Sequence, residues 1–183
     1  MPNPGPSHPR FQSNDPSRRR FLKKTATGFV ALSLARVAFS NPYTDARDPA
    51  HQGAFHFLSS RQFRVLETIC DRIIPASADM PGAADLKVPA LVDRFLSTVD
   101  KPVADQIAEL LDVFEISPII FDFRPSCFTS LNSSQQDEVL RSWANSRFEF
   151  RRTGFQAVKR LSMAAYYGQE AAWKTIGYDG PFV

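Results

Sequence analysis

Histidine and cysteine are scarce in this sequence, and the common catalytic signatures are missing. Two cysteines, Cys70 and Cys127, and three histidines, His8, His51 and His56, are all there is. No C-x-x-C-H occurs, which excludes c-type haem attachment. No G-x-G-x-x-G follows a strand pattern, which removes the usual dinucleotide site, and no G-x-S-x-G marks a nucleophile elbow. No cluster of Cys and His has the spacing of a zinc or iron–sulfur site. Alternating strand patterns and internal repeats are also lacking, so the residues point to helices.

What is present begins with Ser17-Arg18-Arg19-Arg20-Phe21-Leu22-Lys23-Lys24. The order fits a twin-arginine export signal, with Arg18, Arg19, Phe21, Leu22 and Lys23 as its core. The apolar run from Thr25 to Phe39 is broken by Thr27, Ser33 and Arg36. It falls short of the roughly 20 apolar residues a membrane-spanning helix needs. Ala38-Phe39-Ser40 offers small residues for cleavage before Asn41. Residues 1–40 are therefore expected to be a cleavable signal, 41–54 a Pro-containing linker, and 55–183 a single helical domain.

Charge follows the same division. The 183-residue chain is +3, yet residues 41–183 hold 15 basic against 18 acidic side chains. The basic pI of the whole sequence belongs to the leader, and nucleic acid is not an expected partner.

Within the domain, Ser59 or Ser60 is positioned to cap a helix whose inner face is Phe63, Leu66, Ile69, Cys70 and Ile73, ending before Pro75. A loop with Pro81-Gly82 follows. Pro89 opens a second helix, to Val99, with Leu91, Val92, Phe95 and Leu96 as its apolar set. Pro102 opens a third, striped by Ile107, Leu110, Leu111 and Phe114, which Pro118 stops or kinks. Ile116 to Phe128 reads as an irregular buried segment. Ser133 and Gln136 fit a capping box ahead of Val139, Leu140, Trp143 and Phe148. Helical spacing resumes through Phe155, Val158, Leu161, Ala165 and Tyr166 until Gly168. One further turn spans Glu170 to Lys174, and Gly177 to Pro181 closes the chain. The expected fold is all-α, an irregular single-domain helical bundle.

These pieces, in this order, resemble the gluconate 2-dehydrogenase subunit 3 family. Asp71-Arg72-Ile73-Ile74-Pro75, Pro81-Gly82-Ala83, Val88-Pro89 and Val92-Asp93 carry the front of the resemblance. Phe128 to Leu131, Gln135-Gln136, Tyr166-Tyr167, Trp173 and Ile176-Gly177-Tyr178-Asp179-Gly180-Pro181 carry the rear. The resemblance implies a non-catalytic small subunit of a dehydrogenase complex, exported to the periplasm by the twin-arginine translocase. The catalytic subunit it implies is an FAD-dependent flavoprotein of the glucose-methanol-choline type, with a multihaem cytochrome c as electron acceptor. On this reading the chain holds no cofactor or metal of its own. It escorts a folded flavoprotein that lacks a signal.

Candidate contact residues follow from the run Trp143, Arg147, Phe148, Phe150, Arg151, Arg152 and Phe155, more aromatic than one core face requires and rich in the side chains favoured at interface centres. Trp173 and Tyr178 are further candidates. Cys70 and Cys127 are a candidate disulfide in an oxidising compartment, beside the alternatives of a buried free Cys70 and a bond to the partner. A rival reading makes the chain a small stand-alone enzyme using Asp71 or Asp93 with His51 or His56; another makes it a free-standing binding module.

Overall fold

The structure, a computed structural model, describes residues 56–173 and 176–180. The export signal, the linker and His51 lie outside the described residues. Among the described residues there are six α-helices and one 3-10 turn and no strand: α1 (Ser60–Ile73), α2 (Val88–Leu96), α3 (Lys101–Phe121), the 3-10 turn Phe128–Ser130, α4 (Ser133–Ala144), α5 (Glu149–Tyr167) and α6 (Glu170–Trp173).

The helix starts follow from local chemistry. Ser59 caps α1 in a reciprocal box with Gln62, satisfying two otherwise orphaned amides. α4 uses the same device one residue earlier than the spacing suggests: Asn132, not Ser133, is the cap and Gln135 its partner. α1 lies across the middle of the fold, against α3 on one side and α2 on the other, while α5 covers α2 and α4. Val65, Leu66, Ile69 and Cys70 of α1 meet Val92 and Leu96 of α2, Leu111 and Phe114 of α3, Trp143 of α4 and Val158 of α5 in one buried core. Each large side chain fully buried there contributes roughly 1.5–3 kcal/mol.

One expectation is corrected and another narrowed. Leu91 and Phe95 face outward, because α2 turns Val88, Val92, Asp93 and Leu96 inward instead. Of the two outcomes expected at Pro118, a stop or a kink, the stop does not occur: α3 runs through it to Phe121. A proline removes the amide that would bond the carbonyl four residues back, here that of Phe114. Ser117 replaces it, its hydroxyl donating to the Phe114 carbonyl at 2.9 Å. The indole of Trp143 in turn donates to that hydroxyl at 3.0 Å, so a residue of α4 holds the repair in place.

Candidate functional site

The polar residues of the front motif brace the fold. The carboxylate of Asp93, buried on α2, accepts three successive main-chain amides: His56 at 2.5 Å, Phe57 at 3.1 Å and Leu58 at 2.7 Å. His56 contributes its backbone, while its side chain is exposed. Asp93 is thus committed to the segment entering α1, which corrects its candidacy as a base working with a histidine. Asp71 is exposed. Partial burial raises its carboxyl above the ordinary value, opposed by neighbouring Arg72. Arg72 itself pairs in a fork with Asp137 of α4, Nε to Oδ1 at 2.7 Å and Nη2 to Oδ2 at 2.9 Å. Gly82 sits so close to the backbone of Ala76 that an added Cβ would lie 2.7 Å from its nitrogen. The loop around it is tied to the end of α5, where Tyr166 donates to the Pro81 carbonyl at 2.8 Å and Gln169 to that of Leu86 at 3.0 Å.

The cysteines are not bonded to each other. Cys70 is buried against Ser162 of α5, Sγ to Oγ 3.2 Å, and Cys127 is half-buried on the stretch before the 3-10 turn. The structure thus agrees with the alternative of a buried free Cys70. Burial pushes the Cys70 thiol up to about 12, so it stays protonated. Among the described residues, no group of His, Cys, Asp and Glu is arranged to hold a metal ion, and no helix is long and apolar enough to cross a membrane.

The aromatic and arginine run divides between core and surface. Trp143 is fully buried, its ring stacked on Phe114 with centroids 3.7 Å apart. Arg151 is buried too, its guanidinium 4.6 Å from the Phe121 ring and 5.3 Å from the Trp143 ring. Neither presents a contact surface. Arg151 donates to the Ser142 hydroxyl at 3.0 Å, which donates to Asp122 at 3.3 Å. Its desolvation lowers the guanidinium's pKa, opposed by the charge of Asp122. Above this floor Arg147, Phe148, Phe150 and Arg152 are exposed, and Phe155 is half-buried against the core. Arg147 lies over the Phe148 ring at 5.0 Å, and Arg152 donates to the Ser146 carbonyl. Rings of Phe121, Phe148 and Phe150 form a triangle with centroids 6.0–6.4 Å apart.

Three exposed residues around the end of α3 escape a reading of the sequence. Ile119 and Ile120 near the end of α3 are exposed, and Phe123, two residues past Phe121, is 90% exposed with φ 51°. Pro125 is the signal that the helix must end there, but nothing local shows which way Phe123 turns. Trp173 and Tyr178 pair with each other, ring centroids 5.3 Å apart, and Gly180 lies against the Trp173 ring. The Trp173 indole donates to the Tyr167 carbonyl at 2.8 Å, which ties this closing turn to the end of α5.

Fold and site together define a small all-α domain whose motif carboxylates brace helices and whose exposed aromatics gather beside arginines. The chain belongs to the gluconate 2-dehydrogenase subunit 3 family, whose model matches residues 60–180. The family is described as subunit 3 of gluconate 2-dehydrogenase. Over 60 residues it is also 33% identical to a long-chain-alcohol oxidase of Arabidopsis thaliana; the match takes in 30% of this chain and 8% of that oxidase. No solved structure matches it.

Proposed function

We propose that this chain is the non-catalytic small subunit of a periplasmic dehydrogenase complex. Its partner is an FAD-dependent flavoprotein of the glucose-methanol-choline type, which it stabilises and escorts, already folded, through the twin-arginine pathway. The observation that carries the reading is the fate of Asp93. The buried acid of the front motif is consumed by three amides that position the start of the domain. A motif built from braces suits a chain that is held and carried rather than one that reacts.

The likeness to the plant oxidase supports a close association with an oxidising body, since a short related stretch lies there within one much longer chain. The export motif at Arg18-Arg19 supplies the reason for a separate small chain. A flavin subunit folds around its cofactor before crossing, and one without a signal crosses only when bound to a chain that has one. Flavin chemistry, and electron transfer onward to a cytochrome c, belong to the partners in this reading.

The test is fractionation of cells making the flavoprotein alone, with this chain, and with this chain carrying Arg18→Lys and Arg19→Lys. Flavoprotein is expected in the periplasm only with the unaltered chain. Periplasmic flavoprotein in all three cases would overturn the escort.

A further inference from the structure

We propose that the end of α3 and the start of α5 form the surface that grips the catalytic subunit. Phe123 and the exposed Phe148 and Phe150 meet apolar surface of that subunit, and Arg147 and Arg152 face carboxylates on its rim. The proposal rests on the small-subunit reading above and adds to it where, and by what chemistry, the partner is held.

Phe123 occupies the left-handed position after a helix end that glycine or asparagine commonly fills. A bulky residue there is strained, and at 90% exposure no packing within this chain offsets the strain. Strain held in place without internal return points to use outside the chain. The neighbouring surface is preorganised. Phe148 and Phe150, 42% and 40% exposed, are fixed against Phe121, and Arg151 beneath them is clamped between Phe121 and Trp143. Two atoms of this floor, Arg151 Nε and Asp122 Oδ2, are buried without a hydrogen-bond partner. Among the described residues Arg147, Arg151 and Arg152 form no ion pair, within a domain that is otherwise acidic on balance. Exposed aromatics with Arg147 and Arg152, neither of them ion-paired among the described residues, on the same surface segment call for an apolar pocket with an acidic rim.

Other occupants fit less well. A second copy on a twofold axis would set these arginines against themselves. An anionic bilayer would press against Glu149, the exposed acid between Phe148 and Phe150. The second exposed apolar set, Leu91, Phe95 and Val103, contains no strained residue.

The test co-produces the full chain with the catalytic subunit, tags the latter, and measures how tightly variants are retained. Phe123→Gly is expected to weaken association roughly tenfold or more. The unfolding temperature of the chain itself should stay level or rise, because glycine relaxes the backbone. Arg147→Glu with Arg152→Glu should weaken association comparably, and Phe95→Ser should not. Full retention of Phe123→Gly, or loss with Phe95→Ser alone, would overturn the surface while leaving the subunit reading intact. Failure of the unaltered chain to co-purify would overturn that reading as well. Flotation with phosphatidylcholine–phosphatidylglycerol vesicles, or a dimer of the chain, either one abolished by Phe123→Gly, would also overturn the proposal.

Discussion

The hydroxyl of Tyr166 donates to the carbonyl of Pro81 at 2.8 Å, joining residues 85 positions apart. It ties the far end of α5 to the loop that follows α1, and it pairs a tyrosine of the rear motif with a proline of the front one. Tyr166→Phe keeps the buried ring and deletes only the oxygen. The expected loss is about 1 kcal/mol, since the Pro81 carbonyl forfeits its donor. Urea unfolding should show a lower midpoint with an unchanged slope.

Gly82 is constrained by space. Its missing Cβ would fall 2.7 Å from the Ala76 nitrogen and 3.0 Å from the Ala76 Cβ. Because the nearest obstacle is backbone, the loop itself must move. Gly82→Ala is expected to destabilise the chain by roughly 1–3 kcal/mol, the usual range for overpacking. Ala84→Ser, at an exposed position of the same loop, is the control and should leave stability nearly unchanged; an equal loss there would mean that crowding at Gly82 is not the cause.

The Arg72–Asp137 fork gives the fold an acid-sensitive joint. Hydrogen bonds from Arg72 hold the Asp137 carboxyl below the ordinary value, with burial opposing them. A depressed folded value means that the stabilisation is full above the unfolded value of about 3.9 and fades as pH falls through the lower folded one. Stability measured down an acid series should therefore fall less steeply in Asp137→Asn than in the unaltered chain. The effect is small, because both side chains are partly exposed to solvent.

The two thiols should respond differently to a thiol reagent. Cys70 is buried and its thiol pushed up to about 12, whereas Cys127 is half-buried. Only the thiolate reacts, so titration of the reduced native chain with a coloured disulfide near neutral pH is expected to modify Cys127 and spare Cys70. Both should react in denaturant. Loss of the slow thiol in Cys70→Ala, and of the faster one in Cys127→Ala, assigns them.

Helices that depend on neighbours in the chain were legible in the sequence. α1 follows from apolar spacing, Ser59 and Pro75, and the first turn of α2 from Pro89. What escaped depends on residues brought in from elsewhere. Pro118 signals a helix end, but Trp143, 26 residues from Ser117, anchors the hydroxyl that lets α3 continue. Arg151 reads as a surface arginine until Phe121, Ser142 and Trp143 enclose it from two other helices. Phe148 and Arg147 sit at a helix start, so their exposure could be anticipated. Phe123, expected within a buried segment, turns outward in a left-handed bend that composition does not encode.

One property of the Asp93 anchor governs which substitutions it tolerates. It reads the peptide groups of residues 56–58, not their side chains. A change of side chain at exposed His56 should therefore leave the attachment intact, whereas Leu58 is held in addition by its burial in the core. Proline is the exception: lacking the N–H, it would release one of the three strands of the knot wherever it fell.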